Sequence, residues 1–186
     1  MSLSMIESVA NIIQSIYDFH GEVYRRKDRV GLVVFKGSKA YTLQHPTRNL
    51  DLVVKKLKEV GASDFTPLAA GLFQSWKTLK QEKLRNKDST LHLYVISDGI
   101  VNVSLDKPIS PLTRRRYNSE AHADSFDVLR LLVKEGVNVH IVNTNHNPDE
   151  SKFVRIKESR ITLTPTQFLK ELARVSKGEY IGLKKN

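Results

Sequence analysis

Residues 91–99 read Leu-His-Leu-Tyr-Val-Ile-Ser-Asp-Gly, and this stretch decides the fold class of the chain. It is an apolar, β-prone run that ends in a carboxylate, Asp98, followed by Gly99, where the backbone can turn away. In a parallel sheet with helices on both faces, the carboxyl ends of the strands line the crevice where ligands bind. Asp98 is therefore predicted to face a binding site. An Asp-Gly pair is also an ordinary turn signal, so the prediction depends on its surroundings.

On both sides of this stretch, predicted strands alternate with predicted helices. Val30–Phe35 is a continuous apolar run, which is typical of a strand buried on both faces. Leu50–Val60 has the apolar spacing of a helix, and Gly61 is a natural end for it. The other predicted elements are helices at Ile6–Phe19, 67–81, 124–135 and Thr164–Gly178, and strands at Ala40–Leu43, 91–97, Val137–Val142 and Tyr180–Leu183. This alternation predicts an α/β fold with a largely parallel sheet.

Two polar segments are predicted to be loops. The first runs from about Ser104 to Ala123 and carries Pro108, Pro111 and three consecutive arginines. The second covers residues 145–160. Because long loops inside a compact domain are usually functional or mobile, the first segment is of interest for binding.

The length and composition predict one globular domain over residues 1–186, since hydrophobic residues make up 40% and charged residues 27%. The formal net charge of +10 raises the question of acidic partners. The basic clusters have no aromatic residues between them, as a single-strand stacking platform would need. Nucleic-acid binding is therefore the less favoured interpretation.

The chain contains no cysteine, which excludes disulfides, thiolate nucleophiles, iron–sulfur clusters and zinc ribbons. No apolar run approaches the roughly 20 residues of a membrane span, and no signal-peptide pattern opens the chain. We therefore expect a cytoplasmic protein without membrane contact.

The usual catalytic motifs are missing from the sequence. There is no G-x-G-x-x-G, no Walker lysine motif and no G-x-S-x-G elbow. The histidines lack zinc-ligand spacing, and His92 and His140 are expected to be structural because they lie in predicted strands. No catalytic residue is assigned, so whether the parent protein is an enzyme stays open, and the isolated domain is not expected to be catalytic.

Hydroxyls and one carboxylate remain as candidates for a site. Mg²⁺ prefers oxygen ligands, and Thr66 and Asp98 are each placed next to a predicted element end. Thr66 followed by Pro67 is equally a standard helix start, with threonine as N-cap and proline in the first position. Thr164-Pro165 has the same pattern where no ligand is expected. From these residues alone, both interpretations of Thr66 stay open.

Three segments, taken in order, resemble a known family. They are Arg29–Phe35, Thr66–Leu72 (Thr-Pro-Leu-Ala-Ala-Gly-Leu), and Ser97-Asp98-Gly99 followed by Asn102-Val103. In this order they resemble a von Willebrand factor A domain, and more narrowly the A domain at the C-terminus of the D subunit of magnesium chelatase. The closing segment from Phe168 to Tyr180 also fits, so the resemblance covers nearly the whole chain.

The resemblance implies a Rossmann-like, doubly wound, mostly parallel sheet flanked by helices. It also implies a metal-ion-dependent adhesion site in which Ser2, Ser4, Thr66 and Asp98 hold Mg²⁺. The sequence begins at Met1, so we expect an N-terminally truncated domain without its first central strand and without the aspartate of the family's Asp-x-Ser-x-Ser motif. Weak or absent Mg²⁺ binding, and self-association through exposed strand edges, are then expected.

The function implied is that of a protein-interaction module in a magnesium chelatase-like or other AAA+ ATPase-associated complex. The partner, an AAA+ ATPase subunit, would supply an Asp or Glu to the metal, and the complex would couple ATP hydrolysis to metal insertion or remodelling. Arg114, Arg115 and Arg116 are candidate partner-binding residues. A basic nucleic-acid-binding α/β domain is the alternative.

Overall fold

The computed structural model describes residues 28–60, 66–107, 109–145, 153–156 and 161–182. The predicted helix at Ile6–Phe19 and the candidate ligands Ser2 and Ser4 lie outside the described residues. The strands are, in chain order, β1 (Val30–Lys36), β2 (Lys39–Thr47), β3 (Leu91–Ser97), β4 (Val137–Asn143), β5 (Val154–Arg155), β6 (Thr162–Leu163) and β7 (Tyr180–Gly182). The helices are α1 (Leu50–Lys58), α2 (Leu68–Arg85), α3 (Pro111–Arg116), α4 (Glu120–Lys134) and α5 (Pro165–Ser176).

A parallel sheet of order β3-β4-β7 forms the centre of the described structure. All seven residues of β3 pair in register with β4, from Leu91 opposite Val137 to Ser97 opposite Asn143. The prediction of a parallel α/β sheet is confirmed, and β3 has the bounds that its apolar run predicts. Since both strands point the same way, their carboxyl ends meet at one edge of the sheet.

The main core lies on one face of this sheet. Alternate residues of β3 and β4 point to that face and pack against apolar residues of α2, α4 and α5. The largest buried side chains there are Phe126 and Phe168, whose rings meet edge to face with centroids 5.5 Å apart. Ile96 points to the opposite face and packs with Val34 and Leu57, so helices flank both faces of the β-structure.

The hairpin of β1 and β2 is antiparallel and turns at Gly37, whose positive φ of 62° suits glycine. The prediction of a strand at Val30–Phe35 is confirmed, but burial on both faces is wrong, because only Val34 is buried. Among the described strands, β1 pairs only with β2. The predicted strand Ala40–Leu43 extends to Thr47, through Pro46, which is a residue that usually argues against a strand.

Helix α2 continues four residues beyond its predicted end at residue 81. The last turns of α2 consist mainly of polar residues. The contact that stabilises them comes from a distant part of the chain. The buried carboxylate of Glu82 lies 3.3 Å from the guanidinium of Arg29 and accepts a hydrogen bond from Asn86 at 2.7 Å. Buried charges need such partners, and a partner more than 50 positions away is not visible in local sequence.

The predicted loop Ser104–Ala123 is partly helical. Pro111 occupies the first turn of α3, with Ser110 as N-cap, and the three arginines belong to this short helix. Proline restricts φ to a helical value and lacks only an amide that a first turn does not need, so it can begin a helix. The predicted loop 145–160 likewise includes β5, which pairs with β6, while residues 146–152 and 157–160 lie outside the described residues.

Helix α4 begins at Glu120, four residues before its predicted start at 124. Its first turns are polar, yet Asp124 and Asp127 are buried. Asp124 accepts the amide of Leu105 at 2.8 Å, so the carboxylate binds the segment that crosses over it. In contrast, α5 begins as predicted, with a complete capping box between Thr164 and Gln167.

The two strand histidines contact each other, as expected for a structural role. Nδ1 of His92 lies 3.2 Å from Nε2 of His140, and the His140 ring stacks on Tyr94 with centroids 4.6 Å apart. No helix within the described ranges is long and apolar enough to cross a membrane.

Gly178 allows α5 to lie close to β4. A Cβ at this position would lie 1.6 Å from the carbonyl oxygen of Val139, which is backbone and cannot rotate away. We predict that Gly178→Ala lowers the free energy of unfolding by about 2 kcal/mol or more in urea denaturation. Gly182→Ala is the matched control, because its Cβ would meet only a ring carbon at 3.7 Å. Equal effects of the two substitutions would contradict the close approach.

His122 makes stability depend on pH. Burial lowers its pKa from 6.5 to about 4, and its ring meets Phe168 edge to face. The unfolded chain therefore binds the proton more tightly, so stability is full above about pH 6.5 and falls as the pH approaches 4. We predict a loss of about 3 kcal/mol across this window.

The substitution His122→Phe keeps an aromatic ring but removes the titrating group. The difference in unfolding free energy between wild type and this variant should grow in favour of the variant as the pH falls. His45→Phe makes the same exchange of side chains at an exposed position and is the matched control for the substitution itself. Parallel pH profiles for wild type and His122→Phe would refute this assignment.

Candidate functional site

The candidate site lies at the carboxyl edge of the parallel sheet, where β3 ends at Ser97 and Asp98 follows. Asp98 is half-buried, and its Oδ1 accepts the amide of Ile100 at 3.0 Å. Ser97 Oγ accepts the amide of Gly99 at 3.2 Å. Each side chain therefore binds the amide two residues ahead, and together these bonds fix the turn that orients the carboxylate.

Gly99 fixes where this turn lies. Its φ is +81°, a value that favours glycine, and a Cβ there would lie 2.5 Å from the carbonyl oxygen of Pro165. The same Cβ would lie 3.1 Å from Cγ of Leu169. The turn after β3 thus packs directly on the start of α5, and Asp98 is held at the sheet edge beside it.

Asn102 connects the second candidate ligand to this turn. Its Oδ1 accepts the backbone amide of Thr66 at 2.8 Å. The structure therefore brings the segment before α2 and the segment after β3 together, although they are far apart in sequence. Thr66 and Asp98 belong to two segments that a single side chain joins.

Thr66 does not have the role of a helix cap. Helix α2 begins at Leu68 with Pro67 in the N-cap position, and no side chain caps it. Thr66-Pro67 does precede a helix. The interpretation that its threonine side chain caps that helix, as Thr164 does, is wrong. At Thr164 the hydroxyl does accept the amide of Gln167, at 3.2 Å.

Polar residues at the end of β4 extend this edge, and sequence reasoning missed them. The amide of Thr144 donates to the carbonyl of Ser97 at 3.0 Å, and Asn143 donates to the hydroxyl of Tyr180 at 2.9 Å. The amide of Asn145 donates to Oδ1 of Asn143 at 2.8 Å. Thr144 Oγ1 is buried, and none of the described residues is its hydrogen-bond partner. The signal was a polar triplet directly after a predicted strand, the same pattern that singled out Asp98.

The donor chemistry at this edge suits a hard cation. Thr66 and Asp98 offer a hydroxyl and a carboxylate, and Mg²⁺ prefers oxygen ligands. Within the described residues, no group of three or more His, Cys, Asp and Glu side chains could hold a metal ion. These two residues therefore fit part of a coordination shell. Its other predicted members, Ser2 and Ser4, lie outside the described residues.

The arginines lie on the segment that leaves this edge after Asp98. Arg115 and Arg116 are exposed at the end of α3, and Arg114 belongs to the same helix. Thr113 is buried against α4. Burial raises the pKa of Asp127 on that helix, and Thr113 and Arg130 oppose this rise. The basic helix is thus anchored to the core by its own threonine.

Comparison with known proteins identifies the family to which this fold belongs. Residues 1–100 match the family model of the von Willebrand factor type A domain. The chain belongs to this family. The parallel sheet flanked by helices in the described part of this A domain is consistent with that family.

Among curated relatives, the A domain is similar to the magnesium-chelatase 67 kDa subunit of Heliobacterium mobile. The two are 28% identical over 164 residues, which cover 88% of this chain and 22% of that subunit. The chain therefore spans less than a quarter of the length of that relative.

Solved structures share the fold of this A domain at low identity. BatB from Bacteroides thetaiotaomicron superposes with a TM-score of 0.63 at 14% identity, over 97% of this chain and 80% of that one. The manganese-loaded TRAP protein of Plasmodium vivax gives a TM-score of 0.53 at 16% identity, over 75% and 48% of the two chains.

The bond from Thr66 to Asn102 can be tested by amide hydrogen exchange. We predict that Asn102→Ala speeds exchange of the Thr66 amide about fivefold, because a net hydrogen bond contributes about 1 kcal/mol. Asn49→Ala is the matched control, since Asn49 accepts the amide of Leu52 at 3.0 Å. It should speed exchange at Leu52 and leave Thr66 unchanged. If Asn102→Ala leaves Thr66 exchange unaltered, the two segments are not joined in this way.

Proposed function

We propose that this chain is a metal-dependent interaction module of a magnesium chelatase-like or other AAA+ ATPase-associated complex. The observation that carries the proposal is the hydrogen bond from Thr66 to Asn102, because it joins the two candidate ligand segments at one sheet edge. Similarity to a magnesium-chelatase subunit supports the kind of complex.

In this proposal Thr66 and Asp98, with Ser2 and Ser4, hold Mg²⁺ weakly in the free chain and more firmly once the partner adds its carboxylate. The ion supplies an open coordination position for a carboxylate of the partner. The chain's own residues position the ligands: Asn102 holds the Thr66 segment, and Gly99 packs the Asp98 turn on α5.

No residue of this chain is assigned to catalysis. ATP hydrolysis and metal insertion or remodelling belong, in this proposal, to the AAA+ partner and the assembled complex. The role of the domain is to bind that partner.

The proposal is tested by measuring association with the AAA+ ATPase subunit of a chelatase-like complex from the same organism, with Mg²⁺ and with EDTA. We expect Mg²⁺-dependent association that Asp98→Ala and Thr66→Ala each weaken by about tenfold or more, because each removes a directed metal contact. Association that is equally strong in EDTA and in both variants would refute the metal-dependent function.

Thr164→Ala is the matched control for Thr66→Ala. It removes a capping hydroxyl and should cost about 1 kcal/mol of stability while leaving association unchanged. Thr66→Ala should do the reverse, since Thr66 caps no helix. Loss of association in both threonine variants would indicate a general effect of destabilisation.

The net charge of +10 favours one alternative, a nucleic-acid-binding domain. That function requires affinity for a single-stranded oligonucleotide that falls steeply with salt, by about three orders of magnitude between about 50 and 200 mM for several phosphate contacts. Filter binding without such a slope would exclude it.

A further inference from the structure

The segments that leave the sheet after β3 and after β4 meet beside the candidate site. Tyr117 pairs with Ile156 as an antiparallel bridge, and the amide of Asn118 donates to the carbonyl of Arg155 at 3.1 Å. The amide of Ile156 donates to the carbonyl of Ile161 at 2.8 Å, next to the pairing of β5 with β6. Three short stretches thus form one small antiparallel surface.

One side of this small surface is packed on the core. Tyr117 is buried and stacks on Phe126 with ring centroids 5.3 Å apart, and Val154 and Ile156 pack against the same core. Side chains alternate along a strand, so Phe153 and Arg155 point the other way. Both are exposed, and 61% of Phe153 is accessible to solvent.

Helix α3 continues this outward surface. Leu112 is 72% exposed, and Arg115 and Arg116 follow it at the three- and four-residue spacing that puts side chains on one side of a helix. We call the set Leu112, Arg115, Arg116, Phe153 and Arg155 the arginine face. It combines three guanidinium groups with two large exposed apolar side chains.

The arginine face is connected to the candidate metal site through β6 and the start of α5. Strand β6 is followed directly by Thr164 and α5, and Pro165 at the start of α5 is the residue on which Gly99 packs. A partner bound at Asp98 therefore has the arginine face as a neighbouring surface.

We propose that the arginine face binds an acidic peptide segment of the partner protein, one that also carries apolar side chains. This inference rests on the proposed function, because it assigns a second contact of the same partner, but the contact itself needs no metal ion. Guanidinium groups bind carboxylates with two parallel hydrogen bonds. Exposed apolar side chains beside such groups mark a protein interface.

The observations favour a peptide over a nucleic acid. A single-stranded nucleic acid needs a series of aromatic side chains on which successive bases stack. On the arginine face the only aromatic residue is Phe153, and the other apolar residue is the aliphatic Leu112. The net charge of +10 attracts either kind of anion, but these two side chains fit apolar residues of a peptide.

The test uses fluorescence anisotropy of a labelled peptide that repeats Glu-Leu-Asp-Phe, titrated with the whole chain in EDTA. We expect saturable binding that Arg115→Glu/Arg155→Glu weakens by about tenfold or more, because attraction becomes repulsion at both positions. Leu112→Ser/Phe153→Ser should weaken it as well. A peptide with serine in place of Leu and Phe should bind more weakly to the wild type.

The matched control is Arg48→Glu/Lys134→Glu, which makes the same change in net charge at exposed positions outside the arginine face. It should weaken binding by less than about twofold at 150 mM salt, where distant charges are screened. Equal loss in both charge variants would show unspecific attraction and overturn the proposal. Tighter binding of an oligothymidine with the same arginine dependence would assign the face to nucleic acid instead.

Asp98→Ala separates this inference from the proposed function. In EDTA it should leave peptide binding unchanged, whereas it weakens Mg²⁺-dependent association with the ATPase partner. One outcome would support the arginine face and refute the metal-dependent function. In it, the arginine variants lose peptide binding, Asp98→Ala keeps it, and the wild type shows no Mg²⁺-dependent association. If the arginine variants keep peptide binding and Asp98→Ala weakens Mg²⁺-dependent association, the arginine face is refuted and the metal-dependent function is retained.

Discussion

The described structure depends on direct backbone contact between α5 and the parallel sheet. Two glycines permit this contact, and each lies beside one end of the helix without belonging to it. Gly99 lies against the carbonyl of Pro165 at the start of α5, and Gly178 lies against the carbonyl of Val139 after its end. A Cβ at either position would meet a backbone atom, which cannot adopt another rotamer. The helix can therefore lie against the turn after β3 and against β4 only while both positions lack a side chain.

This contact also positions the candidate site. Because the turn after β3 rests on α5, Asp98 is fixed at the carboxyl edge, and Asn102 in the same segment holds Thr66. Packing of a helix and presentation of a carboxylate are thus two results of one constraint. The segments that continue from β3 and β4 lie beside that edge, joined through Tyr117 and Ile156.

Where local signals were strong, the sequence was sufficient. The apolar run 91–97 gave the bounds of β3, and the Thr-x-x-Gln spacing gave the capping box of α5. Thr66-Pro67 carried the same helix-start signal as Thr164-Pro165, yet only Thr164 caps a helix. The two differ in their tertiary neighbours, since Asn102 binds the backbone of Thr66. Local sequence cannot contain that information.

The polar segments were the hardest to predict from sequence, because several of their polar side chains are buried in the protein interior. Asp124 and Glu82 are charged, yet each is buried and bonded to a distant segment. The sequence by itself determined the parallel α/β class and the candidate carboxylate, since periodicity and strand ends are local properties. Only the tertiary structure decided that the backbone of Thr66 meets that carboxylate's segment and that the arginines end a helix next to β5. Those outcomes depend on partners far apart in the chain, whose approach is set by packing and by buried polar groups that must be paired.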